Sequence, residues 1–379
     1  IQARSRPEHL KQPEPTSNSI PWRNVPKHWE SCSCRIMEQK LIFTNAVGSA
    51  LDNLVDGLDA ASATIITDTN TFRLVLPLLQ ADSRTAASAR IITIKSDDIN
   101  KNLDGLKHVW TGLAEGDVTR KSIIINLGGG VVTDLGGFAA ATFKRGIPYI
   151  NIPTTLLGAV DASVGGKTAI NFNGLKNQLG TFTEALASVI STVYLNTLPQ
   201  QEILSGYAEM LKHGLLDDMD TFASLLKYNP LYPDFDSESL LPLLKKSVSV
   251  KSRIVEADPL EKGPRKALNL GHTAGHAIES FAMKHGKPIP HGYAVAHGLV
   301  IELVLSHIRL GFPAETLRRF AAYILENYGT FDIRCDDYDE LISYMRADKK
   351  NSSPDKINFT LLRTIGEAQT DCTAEPEQI

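Results

Sequence analysis

The stretch SIIINLGGGVVTDLGGFAAATFKRG, residues 122–146, decides the fold. Its apolar, β-branched run at 122–127 predicts a strand buried on both faces, and the glycines at 128–130 predict a tight turn after it. The apolar spacing that follows predicts a helix beginning at this turn. Bare backbone N–H groups at a helix start favour a phosphate or pyrophosphate. Thr133 stands where the usual G-x-G-x-x-G pattern has its third glycine or alanine, so this motif alone is a weak signal.

Similar β-rich runs on both sides of this unit alternate with helical stretches, which predicts an α/β domain with a parallel sheet. These runs lie at 63–68, 90–94, 147–153 and 188–194. Further along the chain, helical apolar spacing dominates at 198–216, 239–257, 271–283 and 294–310. A late segment at 356–366 is typical of a hairpin or an edge strand. We therefore predict an α/β domain at 37–198, followed by a mostly helical domain at 199–379.

The composition is that of an ordinary globular protein: 379 residues, 42% hydrophobic and 22% charged. That length allows two or three domains. A net charge of -4 argues against a nucleic-acid binder that depends on a general basic field. No run of about 18 apolar residues is present, so we expect no membrane span. Four cysteines do not make a disulfide framework, and they indicate a reducing compartment.

Residues 1–36 differ from the rest of the chain. They are rich in proline, show little apolar periodicity and precede the first methionine, Met37. This composition predicts disorder, and we interpret the segment as a non-native or dispensable leader. Cys32 and Cys34 form a C-x-C pair that can bind metal, but a tail without metal is the favoured interpretation.

The segment 271–298 is rich in histidine. His272 and His276 stand four residues apart on one helical face, which is metal-ligand spacing. A glutamate from another helix, such as Glu209, could complete an open two-histidine, one-glutamate site. Helical spacing alone makes both His272 and His276 candidate metal ligands.

Lysines and arginines beside glycines or within these motifs are further candidates. The segment SVGGKT at 163–168 mimics a nucleotide-binding P-loop, but Asp161 occupies the position of the required first glycine. Lys167 therefore remains a candidate as a cation beside glycines, with an exposed loop lysine as the alternative. Converging cations would suit a phosphate or carboxylate substrate. The others are Arg145, Lys176, Lys212, Lys251, Arg265, Lys349 and Lys350.

Six motifs occur in an order and spacing that resemble the 3-dehydroquinate synthase family of the sugar-phosphate cyclase superfamily. The resemblance covers roughly residues 40–366. The motifs are GGGVVTDLGGFAAATFKRG, PTTLLGAVDASVGGKTAINFNGLKN, SGYAEMLKHG, RKALNLGHTAGHAIE, HGYAVAHG and MRADKK. The resemblance implies a Rossmann-like NAD-binding α/β domain followed by a mostly α-helical metal- and substrate-binding domain.

The resemblance also implies an activity. Members of this family are NAD- and divalent-metal-dependent carbon–oxygen lyases of the shikimate pathway, which leads to chorismate and the aromatic amino acids. They convert 3-deoxy-D-arabino-heptulosonate 7-phosphate to 3-dehydroquinate and phosphate. The steps are transient oxidation by NAD, phosphate elimination, re-reduction and an intramolecular aldol closure. The metal is Zn²⁺ or Co²⁺. We expect a cytoplasmic homodimer with a small phosphorylated sugar-acid substrate and neither nucleic acid nor a membrane as partner.

Site residues follow from the matching motif positions. The implied metal ligands are Glu209, His272 and His291, which makes His276 a catalytic-site residue instead of a ligand. The implied NAD contacts are Asp68, Asp98, Lys101, Gly129, Gly130, Asp134, Thr154, Thr155 and Lys176. The implied substrate contacts are Arg145, Asp161, Lys167, Asn177, Lys212, Lys251, Arg265, Asn269 and His276, with Lys349 or Lys350 also approaching the substrate.

The resemblance assigns these substrate contacts to parts of the molecule. The implied phosphate contacts are Lys167, Asn177, Lys212 and His276. Arg265 is implied at the carboxylate, where its planar fork gives two hydrogen bonds, and Lys251 and Asn269 at the ring hydroxyls.

The chain departs from the family pattern in two places. It reads Ser-Asp-Asp at 96–98, where a Gly-Glu pair is usual, and it ends in GEAQTDCTAEPEQI at 366–379, where the family continues through a further helix. We therefore expect a truncated C-terminus.

Three alternatives stay open. A sister cyclase would act on sedoheptulose 7-phosphate, with altered carboxylate and phosphate contacts. A metal-dependent alcohol or glycerol dehydrogenase would release NADH into solution. A catalytically inactive member would bind ligand without turnover.

Overall fold

A six-stranded parallel sheet organises the first half of the chain in the computed structural model. The structure describes residues 39–58, 60–173, 175–347, 351, 356–375 and 379. The sheet order is β1-β8-β5-β4-β2-β3, and two antiparallel hairpins pair β6 with β7 and β9 with β10. The strands are β1 (Lys40–Phe43), β2 (Ala63–Asp68), β3 (Arg90–Ile94), β4 (Ile123–Gly128), β5 (Tyr149–Pro153), β6 (Lys167–Phe172), β7 (Leu175–Phe182), β8 (Ala187–Ile190), β9 (Ile357–Thr364) and β10 (Glu367–Ala374).

Helices connect the sheet strands and make up most of the second half. In the first half they are α1 (Val47–Asp56), α2 (Thr69–Leu74), α3 (Leu76–Asp82), α4 (Arg84–Ser88), α5 (Leu103–Glu115) and α6 (Gly130–Thr142). In the second half they are α7 (Gln200–Leu216), α8 (Met219–Lys227), α9 (Ser237–Ala257), α10 (His272–Lys284), α11 (His291–Leu310), α12 (Ala314–Tyr328) and α13 (Tyr338–Arg346). The predicted fold class, a Rossmann-like α/β half followed by a helical half, is confirmed.

Residues Glu38–Ile379 form one compact unit. Apart from Met37, both predicted domains fall in this unit, and the boundary between 198 and 199 stays a prediction. The predicted leader at 1–36, with Cys32 and Cys34, lies outside the described residues, as do Lys349 and Lys350.

Alternating side chains of the central strands are buried on opposite faces of the sheet. Ile66 and Ile124 pack in a cluster with residues of α5 and α6. Ile65 and Ile125 pack in another, with residues of α1 and α3. Burial on both faces explains why these strands appear in the sequence as continuous apolar runs.

The carboxyl ends of β4 and β5 meet at one edge of the sheet. The Gly128 carbonyl accepts a hydrogen bond of 3.0 Å from the Thr154 backbone N–H. A Cβ added to Gly129 would lie 2.8 Å from Thr155 Cγ2, so the glycine lets the two chain segments approach closely. This edge, where parallel strands end, is where α/β folds bind ligands.

The segment at 163–168, which mimics a nucleotide-binding loop in sequence, leads into a hairpin. Lys167 is the first residue of β6, which pairs antiparallel with β7 through contacts such as Lys167 with Phe182. The segment at 356–366 supplies β9 of a second hairpin, in agreement with the expectation of a hairpin or edge strand there.

Among the described residues, α11 is long and apolar enough to span a membrane by length and composition. Half of its most apolar window is buried inside the protein, as a core helix would be. It also carries a fully buried carboxylate, Glu302, which accepts hydrogen bonds from three backbone N–H groups at the start of α10, the shortest 2.6 Å from Gly271. A carboxylate stabilises a helix start, so α11 acts here as a support for α10.

Helices α7 and α11 touch at a glycine. The Gly292 backbone N–H donates to Ser205 Oγ at 3.1 Å, and a Cβ added at Gly292 would lie 1.9 Å from the Ser205 carbonyl oxygen. Because Gly292 follows His291, the first residue of α11, this contact also sets the distance between His291 and α7.

We expect the substitution Gly292→Ala to lower the free energy of unfolding by about 1–3 kcal/mol, because the new methyl group would overlap a backbone carbonyl that cannot move freely. Gly57→Ala is the matched control, since a Cβ there meets its nearest atoms at 3.6 Å, which is ordinary contact. Urea denaturation of both variants checks the prediction. Equal midpoints for the two variants would show that the helices do not need this close approach.

Candidate active site

Three helices bring one carboxylate and two imidazoles together. Glu209 lies on α7, and His272 and His291 are the first residues of α10 and α11. Glu209 Oε1 lies 3.4 Å from His272 Nε2 and 3.6 Å from His291 Nε2. The three residues each offer a ligand atom, and these atoms lie within 4.8 Å of one another.

This trio fits a divalent cation. The Glu209 side chain is fully buried and its Oε1 accepts no hydrogen bond from the described residues. A buried carboxylate oxygen without a hydrogen-bond partner is costly unless a cation satisfies it. Two histidines and one glutamate also match the three-ligand set of zinc sites that keep an open position for a substrate.

His276 lies beside the trio but outside the ligand group. Its ring centroid is 5.4 Å from that of His272 and 5.9 Å from that of His291. The geometry therefore favours Glu209, His272 and His291 as the ligand set over the pair nominated by spacing alone.

Neighbouring charges set the protonation of the trio. Burial alone would raise the pKa of Glu209, but the adjacent Lys212 ammonium outweighs it and holds that pKa well below its usual range. Burial is the larger cause and the positive charge of Lys212 the smaller one, and both hold the pKa of His272 well below its usual value. Burial would also lower the pKa of His291, but the adjacent Glu209 and Glu279 carboxylates raise it to about 10.

A cluster of buried cations lies next to the trio. Lys212, Lys251 and Arg265 are almost fully buried, which is rare for these residue types unless they meet anions. Lys251 Nζ donates to Asp161 Oδ1 at 2.6 Å. Burial alone would raise the pKa of Asp161, but Lys251 holds it well below its usual range.

The Arg265 guanidinium is fixed by two hydrogen bonds, and one of its N–H groups makes none with the described residues. Its Nη1 donates to the Pro259 carbonyl at 2.6 Å and its Nη2 to the Gly165 carbonyl at 3.0 Å. Its Nε is buried without a hydrogen-bond partner among the described residues. A fixed guanidinium with donor capacity to spare suits an anionic ligand group.

Lys167 and Asn269 meet at a residue that sequence reasoning did not single out. The Glu261 carboxylate pairs with Lys167 and accepts a hydrogen bond of 3.1 Å from Asn269 Nδ2. Burial alone would raise the pKa of Glu261, but Lys167 outweighs it and lowers it. Glu261 lies in the loop between α9 and the turn that carries Arg265, and no periodic pattern marks it.

Glu279 is a second residue that sequence reasoning did not single out. It lies on α10 and its Oε2 is 3.3 Å from His291 Nδ1. The sequence does contain a signal for Glu279, because this residue stands seven positions after His272 and three after His276, on the same helical face.

The expected dinucleotide contacts gather at the carboxyl edge of the sheet. Gly129 and Gly130 form the start of α6, and Thr154 and Thr155 follow β5 beside them. Asp68 ends β2 and accepts hydrogen bonds from Thr71, whose Oγ1 lies 3.5 Å from Thr154 Oγ1.

Charged residues extend this edge toward the trio. Lys101 Nζ lies 3.0 Å from Asp134 Oδ2 and 3.3 Å from Asp98 Oδ1. Lys176 Nζ lies 3.7 Å from Asp98 Oδ2 and 2.6 Å from Glu279 Oε1. Asn177 follows Lys176 on the exposed strand β7.

Within one chain, the structure does not bring Arg145 to this cluster. Arg145 follows the far end of α6, a helix of 13 residues and therefore about 20 Å long, whose other end begins at Gly130. It is exposed there and lines a basic cavity of about 590 Å³ together with Thr119, Arg120, Lys121 and Lys144. The expectation that Arg145 contacts the substrate stays a prediction.

Comparisons with known proteins agree on one family. The family models described as 3-dehydroquinate synthase N-terminal and C-terminal match residues 91–205 and 206–351. The chain is 46% identical over 345 residues to 3-dehydroquinate synthase of Parabacteroides distasonis, which covers 90% of this chain and 96% of that protein.

Solved structures of sugar cyclases share the fold. A 2-deoxy-scyllo-inosose synthase complexed with carbaglucose-6-phosphate, NAD⁺ and Co²⁺ superposes with a TM-score of 0.77 at 21% identity, covering 89% of this chain and 94% of that one. The 2-epi-5-epi-valiolone synthase ValA of Streptomyces hygroscopicus, with NAD⁺ and Zn²⁺ bound, gives a TM-score of 0.78 at 24% identity, covering 90% and 94%.

We expect zinc binding to release about one proton between pH 7 and pH 9. His291, with its pKa near 10, is protonated in the metal-free site, whereas His272 is neutral and Glu209 is ionised. The cation must displace the His291 proton, so zinc affinity should rise about tenfold per pH unit in this window. Calorimetric titrations in two buffers of different ionisation enthalpy count the protons. A count near zero or near two would contradict these protonation states.

Proposed function

The chain belongs to the 3-dehydroquinate synthase family, and we propose that it converts 3-deoxy-D-arabino-heptulosonate 7-phosphate to 3-dehydroquinate and phosphate. It is an enzyme, a phosphate-eliminating carbon–oxygen lyase of the shikimate pathway. The observation that carries the proposal is the meeting of buried Glu209 with the half-buried His272 and His291, beside a group of buried cations. A metal site next to fixed positive charges fits a polyhydroxylated substrate with phosphate and carboxylate groups.

NAD and a divalent cation, Zn²⁺ or Co²⁺, are the proposed cofactors. Two structures with this fold contain NAD⁺ with one of these cations, which supports the assignment. Glu209, His272 and His291 would hold the cation. The dinucleotide residues would be those at the carboxyl edge of the sheet: Asp68, Asp98, Lys101, Gly129, Gly130, Asp134, Thr154, Thr155 and Lys176. When bound, NAD supplies a transient hydride acceptor and the cation supplies a Lewis acid for the substrate hydroxyls.

The protein's own residues orient the substrate. Arg265 is the proposed partner of the carboxylate, because its buried fork keeps a free donor. Lys251 and Asn269 would hold ring hydroxyls, with Asp161 fixing Lys251. The proposed phosphate contacts are Lys167, Asn177, Lys212 and His276, and Lys350 or its neighbour Lys349 would add a further cation.

Buried, pre-oriented charges contribute to catalysis because they need no reorganisation as the substrate loses phosphate. Lys212 and Lys251 are already desolvated and fixed by carboxylates, so an arriving phosphate or alkoxide meets cations in place. His276, whose ring lies beside those of His272 and His291, is the proposed group that moves a proton at the substrate. The substrate's own phosphate is a second proton acceptor.

The sister reaction on sedoheptulose 7-phosphate is the second candidate. That sugar has no carboxylate, so it would leave the buried Arg265 fork without an anionic partner. The cost of leaving the buried Arg265 Nε donor without an acceptor favours the substrate with a carboxylate.

A homodimer in the cytoplasm completes the proposal. The resemblance assigns Arg145 to the substrate, yet within one chain Arg145 lies at the opposite end of α6. A second copy of the chain, related by two-fold symmetry, would reconcile the two observations by supplying its Arg145 to the first copy's site.

We expect the zinc-loaded protein with NAD to release phosphate from the heptulosonate phosphate and to form dehydroquinate without net NADH. Chelator treatment should abolish release, and added zinc should restore it, because the trio holds the cation. A phosphate assay and absorbance at 340 nm measure the two quantities. Faster phosphate release from sedoheptulose 7-phosphate would favour the sister cyclase. Accumulation of NADH would favour a dehydrogenase, and substrate binding without phosphate release would favour an inactive member.

We expect Arg145→Ala and Lys251→Ala variants to be inactive alone and active when mixed. In a mixed dimer, the site with intact Lys251 receives Arg145 from the other subunit, so denaturing and refolding the two together should restore about a quarter of wild-type activity. The control is each variant refolded with itself. No recovery from a mixture that contains mixed dimers would place Arg145 outside the substrate site.

A further inference from the structure

Glu279 touches both a proposed metal ligand and a proposed dinucleotide contact. Its Oε2 lies 3.3 Å from His291 Nδ1, and its Oε1 lies 2.6 Å from Lys176 Nζ. Glu279 is only 8% exposed, so these two partners replace most of the water that its carboxylate would otherwise bind. Each oxygen therefore has one assigned partner.

The contact with His291 fixes the state of that ring. An ionised carboxylate only accepts hydrogen bonds, so His291 Nδ1 must carry the proton that it donates to Glu279. The other ring nitrogen, Nε2, then faces Glu209 Oε1 at 3.6 Å with its lone pair available once a cation replaces any proton there. Carboxylates in this position orient metal-binding histidines and make them better ligands.

The contact with Lys176 holds Glu279 from the other side. Lys176 lies on strand β7, whereas Glu279 and His291 lie on helices α10 and α11. Asp98 also lies 3.7 Å from the Lys176 ammonium, so this cation is itself held between two carboxylates. The ammonium keeps Oε1 occupied and leaves Oε2 directed at His291.

We infer that Glu279 is a positioning residue for the cation site, and that Lys176 acts on the same site through Glu279. The inference rests on the proposed function, because it takes Glu209, His272 and His291 as the cation ligands. The inference adds Glu279, a residue outside the ligand set whose removal weakens cation binding. It also gives a route by which Lys176, a proposed dinucleotide contact, affects cation binding.

The chain provides a matched control on its surface. Glu340 on α13 makes the same kind of paired contact, with its Oε2 at 3.2 Å from His285 Nε2 and its Oε1 at 2.9 Å from Lys284 Nζ. No member of this second group lies in the proposed site. Glu340→Gln therefore removes a carboxylate from a histidine and a lysine without touching the cation ligands.

The experiment measures zinc affinity of the full chain by competition with a chromophoric chelator, for wild type and for the variants. We expect Glu279→Gln to weaken zinc binding by about 10–100-fold, because the weaker acceptor no longer fixes His291. Lys176→Met should weaken it by about two- to fivefold, as expected for a partly exposed ion pair. The double variant should bind no more weakly than Glu279→Gln alone. Glu340→Gln should match wild type.

Metal-free unfolding midpoints distinguish positioning from a general loss of structure. We expect Glu279→Gln to unfold at the same urea concentration as Glu340→Gln while binding zinc far more weakly. Unchanged zinc affinity in Glu279→Gln overturns the inference and leaves the proposed function intact. Additive losses of zinc affinity in the double variant overturn the route through Lys176. If Glu279→Gln folds poorly, Lys176→Met by itself tests this route, because the inference requires that variant to bind zinc more weakly than wild type. If the wild type binds no zinc, the proposed cation site itself fails.

Discussion

The burial of one carboxylate constrains the whole helical half of the protein. Glu209 is fully buried on α7, and an ion removed from water costs several kcal/mol unless partners replace the water. Lys212 comes from the same helix, and His272 and His291 come from the starts of α10 and α11. Three helices must therefore keep their relative positions for one charge to be tolerated, and the same positions create a site that suits a divalent cation.

Charges of alternating sign connect this carboxylate to the carboxyl edge of the sheet. Each neighbouring pair along the series lies within 3.7 Å. The series runs Asp134, Lys101, Asp98, Lys176, Glu279, His291, Glu209. Since each charge already has opposite partners, the side chains around the proposed dinucleotide and cation positions are held in place before any ligand arrives, which is the arrangement that electrostatic catalysis requires.

Much of the fold could be predicted because its strands are buried on both faces and so appear as continuous apolar runs, as at 63–68 and 90–94. The β6–β7 hairpin could not, because β7 is exposed along nearly all of Leu175–Phe182 and carries no apolar run. In the site, Glu279 was predictable from its helical spacing to His272. Glu261 was not, because a loop residue has no period and only the contact with Lys167 reveals it.

The sequence by itself determined the local elements and the chemical types available to them. It determined that α6 begins at a glycine turn and that His272 and His276 share one helical face, since such features depend on residues a few positions apart. Helical spacing favoured His276 and the family resemblance implied His291, and the tertiary structure brought His291 to Glu209. It also placed Arg145 at the far end of α6. These outcomes depend on close contacts between distant segments, such as Gly292 against α7, and no local periodicity encodes the distance between elements that pack together.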